Sequence, residues 1–195
     1  MAMPKVASEK AILPPEKVQE IKEEIDRHAV DMITATSKLQ MEAQEVRVNK
    51  PNWKSYLQGQ MISNDDYNFI TAYESVKKME EKNFLLDKSR LQCAKTFISL
   101  MSNISKDQTV RYVLTLIDDM LLEDRSRCEI FWAYARKQKQ SVWEPFILML
   151  GRNDGFVLNQ VSRIIAKLAC WSQELMDGPD LMYYLNWLKD QLRII

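Results

Sequence analysis

The residues best suited to chemistry in this chain are one histidine and three cysteines. Their spacing fits neither a zinc site nor a disulfide framework. A zinc site needs three or four ligands, so His28 alone cannot form one. Cys93, Cys128 and Cys170 are widely spaced and contain no Cys-x-x-Cys motif. An odd, sparse set of this kind is typical of reduced cytoplasmic proteins rather than of a disulfide framework.

Three pairs of adjacent carboxylates are the other candidates: Asp65-Asp66, Asp118-Asp119 and Glu123-Asp124. Neighbouring residues on a helix point about 100° apart, so the members of a pair do not face each other. We interpret Asp118-Asp119 as the solvated side of an apolar helix and His28 as a packing or hydrogen-bonding residue. The sequence also lacks a glycine-rich phosphate loop and a nucleophile with a nearby base. We therefore predict no catalytic residue, no metal ligand and no cofactor, and a protein that is not an enzyme.

Composition narrows the possible partners. Lysine plus arginine and aspartate plus glutamate number 27 each, which gives a formal net charge of zero. Nucleic-acid binding usually leaves a basic footprint, so we expect no nucleic-acid partner. No uncharged apolar run reaches about 18 residues, and we expect no direct membrane insertion. The N-terminus lacks the apolar region of a signal peptide.

One apolar spacing, with steps of four, three and four residues, occurs twice and indicates the fold. The two copies are Val110, Leu114, Ile117, Leu121 and Val157, Val161, Ile164, Leu168. Helical repeats with a period of roughly 40–47 residues are typical of HEAT and armadillo proteins, in which neighbouring units share one core. With only four glycines and six prolines the chain has little turn chemistry for hairpins. We predict an all-α, HEAT/armadillo-like helical solenoid with a long N-terminal helix.

Helix start signals divide the rest of the chain. Serine followed three residues later by an acid or amide, as in a capping box, begins at Ser63, Ser89, Ser105, Ser126 and Ser141. Asp177-Gly178-Pro179 has the composition of a helix stop. The predicted helices are 53–60, 64–75, 90–104, 106–123, 127–138, 144–150, 154–176 and 180–192, with residues 76–87 left open as a loop or a loose helix.

The N-terminal segment carries the candidate binding residues. We expect residues 1–13 to be disordered and residues 14–195 to form the helical-repeat domain, with Pro14-Pro15 opening its first helix. Apolar residues then recur at heptad spacing, which places a narrow apolar seam along one face. The seam either packs on the first solenoid helices or contacts the helix or coiled coil of a partner. The partner-binding residues predicted on it are Val18, Ile21, Ile25, Met32 and Leu39.

Five stretches of the chain resemble the H subunit of the vacuolar-type proton ATPase, in the order in which that family has them. They are Asn49–Ser63 (NKPNWKSYLQGQMIS), Cys93–Ile98 (CAKTFI), Gln108–Leu121 (QTVRYVLTLIDDML), Arg163–Ala169 (RIIAKLA) and Tyr183–Lys189 (YYLNWLK). The resemblance covers about residues 46–192 and does not extend to residues 1–43.

The resemblance implies a non-catalytic, regulatory and stator-binding subunit, needed for activity of the assembled proton pump and for acidification of organelles. It implies subunits E and G of the peripheral stalk as partners, with catalytic-sector subunits and endocytic adaptors as further ones. The protein would then be cytoplasmic and peripheral on vacuolar, lysosomal and endosomal membranes. Residues 14–195 would be the N-terminal part of a longer solenoid, without the family's C-terminal domain and its silencing role. The alternative is a helical-repeat adaptor of endocytic membrane trafficking that binds peptide motifs in a solenoid groove.

Overall fold

The protein is all-α over the part of the chain that the structure describes. The computed structural model describes residues 14–172 and 174–193, without the side chains of residues 15, 26, 28 and 30–37. Within these limits helices and loops account for every residue, which confirms the predicted all-α class. The helices are α1 (Pro15–Val48), α2 (Trp53–Gln58), α3 (Asn64–Ser75), α4 (Met79–Lys88), α5 (Arg90–Asn103), α6 (Asp107–Glu123), α7 (Cys128–Gln138), α8 (Glu144–Met149), α9 (Gly155–Trp171) and α10 (Gly178–Arg193), with a 3-10 helix at Arg125–Arg127.

The chain divides into two compact units, residues 1–42 and 43–195, so that α1 begins in the first unit and ends in the second. Three features favour α1. Proline is tolerated in the first turn, where its missing N–H would have no partner in the helix. Glu16 near the start and Arg47 near the end carry the charges that the helix dipole favours at those ends. The disorder expected for residues 1–13 lies outside the described residues. The assignment of residues 14–195 to one helical-repeat domain stays a prediction.

The predicted repeat forms the core of the second unit. All eight residues of the two 4-3-4 sets have no exposed surface, and α6 packs against α9. Helix α5 contacts α3, α6 and α7, so each helix pair buries its apolar face on its neighbours. Phe97 of α5 lies edge-on to Tyr73 of α3, with ring centroids 5.4 Å apart. This stacking confirms the HEAT/armadillo-like arrangement that the spacing predicted.

Most helix starts lie within two residues of their predicted positions, but the caps differ. The Ser63 hydroxyl accepts from the Asp66 amide at 3.1 Å and the box is complete. Ser141 accepts from the Trp143 and Glu144 amides at 3.1 and 3.3 Å, but the N-cap of α8 is Trp143 and makes no side-chain bond, so the box predicted at Ser141 does not form. The boxes predicted at Ser89, Ser105 and Ser126 were wrong: α5 has no side-chain cap, α6 begins after Lys106, and the 3-10 helix is capped by Asp124.

The C-terminal boundaries differ from the prediction. Helix α9 ends at Trp171 instead of Met176, and Asp177-Gly178-Pro179 begins α10 instead of ending a helix. The Asp177 carboxylate accepts from the Asp180 amide at 3.2 Å, and proline is tolerated in a first turn, so this triplet works as a start.

The open segment 76–87 contains a helix, α4, which buries Leu86. None of the described helices combines the length and the apolar character that crossing a membrane requires.

Candidate partner-binding site

The first half of α1 presents an exposed apolar face. The side chains of Val18, Ile21 and Ile25 are 44%, 43% and 60% exposed. Their steps of three and four residues place them on one side of the helix. Leu39 is half-buried, and the side chain of Met32 lies outside the described residues. The structure thus brings three of the five predicted residues together as one exposed row.

Charged side chains flank this row at positions that the sequence analysis did not consider. With Val18 and Ile25 at heptad position a, Lys17 and Glu24 fall at position g and Lys22 at position e, and all three are exposed. Residues at e and g set partner choice in coiled coils. The heptad register contains this signal, so it could have been found from the sequence.

Where α1 enters the second unit, the apolar residue of the same heptad series is buried. Val46, the next residue in the seven-residue series, is buried there together with Ala43. Arg47 donates from Nε and Nη2 to the two oxygens of Asp119, at 2.8 and 2.6 Å. The bond to Asp119 raises the pKa of Arg47 above its ordinary value. The end of α1 is therefore fixed to α6, whereas the row near its start is exposed.

Asp118 corrects the interpretation of the Asp118-Asp119 pair as a solvated side. Asp118 is 3% exposed and accepts a hydrogen bond from Lys167 Nζ of α9. Arg163 Nη2 of the same helix lies 3.1 Å from Asp118 Oδ2. Burial lowers the pKa of Lys167, although Asp118 acts in the opposite direction. Asp118 is therefore buried and ion-paired because α9 supplies two cations at this level, which local spacing cannot reveal.

A second ionic cluster holds α4 and the 3-10 helix against the end of α6. Glu123 accepts from Lys82 Nζ at 2.7 Å and from Arg127 Nη1 at 2.6 Å. Arg127 also donates to the Met120 carbonyl at 3.1 Å and to the Asn83 amide oxygen at 2.8 Å. Burial acts to raise the pKa of Glu123, but the two cations outweigh it and lower the pKa below its ordinary value. Arg127 is nearly fully buried with several partners, as a buried charge must be.

Asp154 ties the start of α9 to α6. One oxygen accepts from the Val157 amide at 3.1 Å and caps α9, and the other accepts from Arg111 Nε at 2.8 Å. Burial acts to raise the pKa of Asp154, but these bonds outweigh it, so the pKa lies below its ordinary 3.8. A lowered carboxyl pKa stabilises the fold above the unfolded pKa, and this contribution is lost as pH falls through the folded value.

We therefore expect the free energy of unfolding to fall as the pH drops below about 5, and to fall less steeply in Asp154→Asn. The amide can still cap α9 but does not titrate, so one source of acid sensitivity disappears. Urea unfolding at a series of pH values measures both slopes. Equal slopes for the variant and the parent chain would contradict the role of Asp154.

A surface cavity of about 510 Å³ lies in the second unit, lined by residues of the 49–61 segment, of the turn between α5 and α6 and of the first turn of α6. Its lining side chains include Lys50, Tyr56, Lys106 and Gln108 but no carboxylate and no histidine. The hydroxyls of Tyr56 and Thr109 lie 2.6 Å apart. This lining offers polar contacts but no acid–base pair. Among the described residues, no group of three or more His, Cys, Asp or Glu side chains is placed to hold a metal ion.

The stacked helix pairs and their continuous core define a helical-repeat protein of the HEAT/armadillo class. A family model described as the H subunit of the V-ATPase matches residues 37–194. The chain therefore belongs to the V-ATPase H-subunit family, which confirms the resemblance found in its sequence.

The relatives that the chain resembles are much longer than it is. It is 54% identical over 167 residues to a probable V-type proton ATPase H subunit, numbered 2, of Caenorhabditis elegans, covering 85% of this chain and 36% of the relative. It is 48% identical over 163 residues to a V-type proton ATPase H subunit of Drosophila melanogaster, covering 84% of this chain and 34% of the relative. Similarity extends to a probable H subunit of Oryza sativa subsp. japonica, at 27% identity over 65% of this chain and 27% of the relative. The chain spans about a third of the length of the first two.

Proposed function

We propose that this chain is a regulatory, stator-binding subunit of the V-type proton ATPase that grips the peripheral stalk of subunits E and G. In this role the chain catalyses no reaction itself. It is cytoplasmic and is attached to organelle membranes through the pump. Membership of the H-subunit family supports a role in the pump. The observation that carries the stalk contact is the exposed row of Val18, Ile21 and Ile25.

The exposed row suits a helical partner. Apolar residues at heptad spacing on one helix fit between those of a second helix, and a stalk built as a coiled coil offers such a surface. Packing would bury the three β-branched side chains, which supplies the favourable free energy. Met32 and Leu39, the other two predicted partner-binding residues, would extend the same contact further along α1.

The flanking lysines add a preference for charge. Lys17 and Lys22 would lie at the edge of a helical interface, where opposite charges steer association. We expect a stalk helix with acidic residues opposite these two lysines. Because such rim charges are solvated, raising the salt concentration should weaken binding through a slower association rate.

The second unit would act as the body that resists torque. Its repeats share a core with fully buried residues, and ion pairs such as Asp118–Lys167 and Asp154–Arg111 join α6 to α9. Close-packed interiors have low compressibility, so a load on one helix is passed to the next. A subunit of this kind would hold the stalk so that the motor turns the rotor.

Affinity capture with purified partners tests the proposal. The full chain is immobilised and offered the E–G stalk complex at low and high salt, and in parallel the cytoplasmic tails of endocytic cargo. We expect retention of the stalk complex, reduced at high salt, and no retention of the tails. Retention of the tails without the stalk complex would favour the trafficking adaptor and overturn the proposal.

A further inference from the structure

The surface cavity of the second unit, of about 510 Å³, has a lining that can hold an anion. The ammonium groups of Lys50 and Lys106 belong to its wall, and none of the lining side chains carries a negative charge. Neutral amide and hydroxyl groups add further hydrogen-bond donors, such as those of Asn52, Ser105 and Gln108. Among the described residues, none that follows α6 in the chain lines the cavity.

Two carboxylates adjoin this lining, and each is held by another donor. Glu74 accepts from Trp53 Nε1 at 2.8 Å, and its second oxygen lies 3.7 Å from Lys50 Nζ. This separation is too long for a hydrogen bond, so the N–H groups of Lys50 stay available to a ligand. Asp107 accepts from Arg152 Nη1 at 2.9 Å. The two carboxylates are thus offset by cations, and the wall of the cavity stays positive.

A buried pair of hydroxyl groups in the same wall has one hydrogen without a protein acceptor. The Tyr56 and Thr109 oxygens lie 2.6 Å apart, and Thr109 is only 3% exposed. The pair has two hydroxyl hydrogens, and only one of them can lie between the two oxygens. The described residues form no hydrogen bond with the second one. An unmade bond of a buried donor costs free energy, and an oxygen atom of a ligand in the cavity would remove this cost.

Apolar groups complete the wall and restrict the kind of molecule that fits. Pro51, Met61 and Ile104 line the cavity together with the ring of Tyr56. A cavity of about 510 Å³ lies within the range of sites for small organic molecules. The lining therefore suits a small molecule with an apolar body beside an anionic group.

The charge and the donors of the wall favour a phosphate over a carboxylate. A phosphate monoester carries about −1.5 to −2 charges at pH 7 and has three strong acceptor oxygens. Two lysines match that charge, whereas a carboxylate would neutralise only one of them. Phosphopeptides are bound by clusters of arginine and membrane surfaces by about four to eight cations, and this cavity supplies neither.

We propose that this cavity binds a soluble phosphate monoester with a small apolar body. Lys50 and Lys106 hold the phosphate, and the pair of hydroxyl groups donates to one of its oxygens. The apolar side chains of the wall cover the body of the ligand. The site shares no residue with the exposed row of α1, so its failure would leave the proposed stalk contact untouched.

Titration calorimetry of the full chain with phenyl phosphate tests the site, with inorganic phosphate and benzoate as comparison ligands. We expect phenyl phosphate to bind with a dissociation constant on the order of 0.1 mM. Inorganic phosphate lacks the apolar body and benzoate lacks the second charge, so both should bind about tenfold more weakly or worse. No saturable binding of phenyl phosphate, or equal affinity for either comparison ligand, would overturn the proposal.

A charge variant and its control show which lysine matters. Lys106→Gln should weaken the binding of phenyl phosphate about tenfold or more, because it removes a charged hydrogen-bond donor. The matched control is Lys54→Gln, since Lys54 is exposed on α2 and does not line the cavity. Its affinity should stay within about twofold of the parent chain. An equal loss in both variants would assign the effect to net charge and overturn the proposal.

A change of volume without a change of charge tests whether the ligand occupies the cavity. Ser55 is an exposed residue of the lining, so Ser55→Phe fills part of the space. Ser102→Phe is the control, because Ser102 is exposed on α5 and does not line the cavity. We expect loss of phenyl phosphate binding in Ser55→Phe alone, with thermal unfolding showing that both variants fold. Retained affinity in Ser55→Phe, or the same loss in Ser102→Phe, would contradict the site.

Two further probes distinguish the sources of a phosphate group. Vesicles that contain phosphatidylinositol phosphate, and a phosphoserine peptide, are offered to the same full chain. We expect neither to be retained at concentrations that saturate the site with phenyl phosphate. Retention of the vesicles or of the peptide, lost in Lys106→Gln, would assign the cavity to a lipid headgroup or a phosphoprotein and overturn a soluble ligand.

Discussion

Replacing Ile21 and Ile25 by aspartate is expected to abolish measurable binding of the chain to the E–G stalk complex. Each isoleucine buried in a helical interface contributes about 1.5–3 kcal/mol, and the new carboxylates would have to lose water as well. The combined loss exceeds about 3 kcal/mol, which is more than a hundredfold in affinity. Titration calorimetry with the parent chain and the double variant measures the difference.

Met41→Asp is the matched control for this experiment. Met41 is 70% exposed on the same helix, about 160° around its axis from Ile25. The control adds the same kind of charge to α1 without touching the exposed row, so its affinity should stay within about twofold of the parent. Circular dichroism should show an unchanged helix content in both variants. Equal loss of binding in Met41→Asp would assign the effect to net charge and contradict a specific contact.

Removing the carboxylate of Asp118 is expected to destabilise the second unit by about 3 kcal/mol or more. Asp118 is buried between α6 and α9, and Asp118→Ala would leave Lys167, whose side chain is 12% exposed, without its partner. Asp119→Ala, one residue further on, should cost less than about 1 kcal/mol, because its pair with Arg47 is solvated. Urea unfolding of the two variants and the parent measures both changes.

A double variant separates an ion-pair effect from a packing effect. Asp118→Leu together with Lys167→Met replaces the buried charges by apolar side chains of similar size. Such exchanges are often nearly neutral, so the double variant should recover most of the stability that Asp118→Ala loses. Similar losses for Asp118→Ala and Asp119→Ala, or no recovery in the double variant, would contradict the buried pair as the cause.

The repeat and most helices could be predicted because they depend on local patterns. The 4-3-4 spacing in α6 and α9 marks a buried helix face wherever it occurs, and the structure packs these two helices together. Caps were less predictable, since several side chains near a helix start can satisfy the same free amides. The Asp177-Gly178-Pro179 triplet shows this ambiguity, because its residues suit the end of one helix and the start of the next.

Features that depend on distant residues could not be predicted. The environment of Asp118 is set by α9, about 45 residues further along the chain. Helix α4 has a polar sequence, and burial of Leu86 in the assembled unit accompanies its formation. For α1 the heptad pattern identified the row of apolar residues but left open whether the solenoid or a partner covers it. Exposure of Val18, Ile21 and Ile25 is information that only the folded chain supplies.

Hydrogen exchange of the full chain, with and without the E–G stalk complex, tests the stalk contact most directly. Residues 16–25 of α1 all have exposed side chains, and a helix with little burial opens easily, so their amides should exchange fast in the free chain. The stalk complex should slow exchange in this segment and leave the already protected amides of α6 and α9 unchanged. Fast exchange of residues 16–25 in a chain that demonstrably holds the stalk complex would place the contact elsewhere and contradict the account.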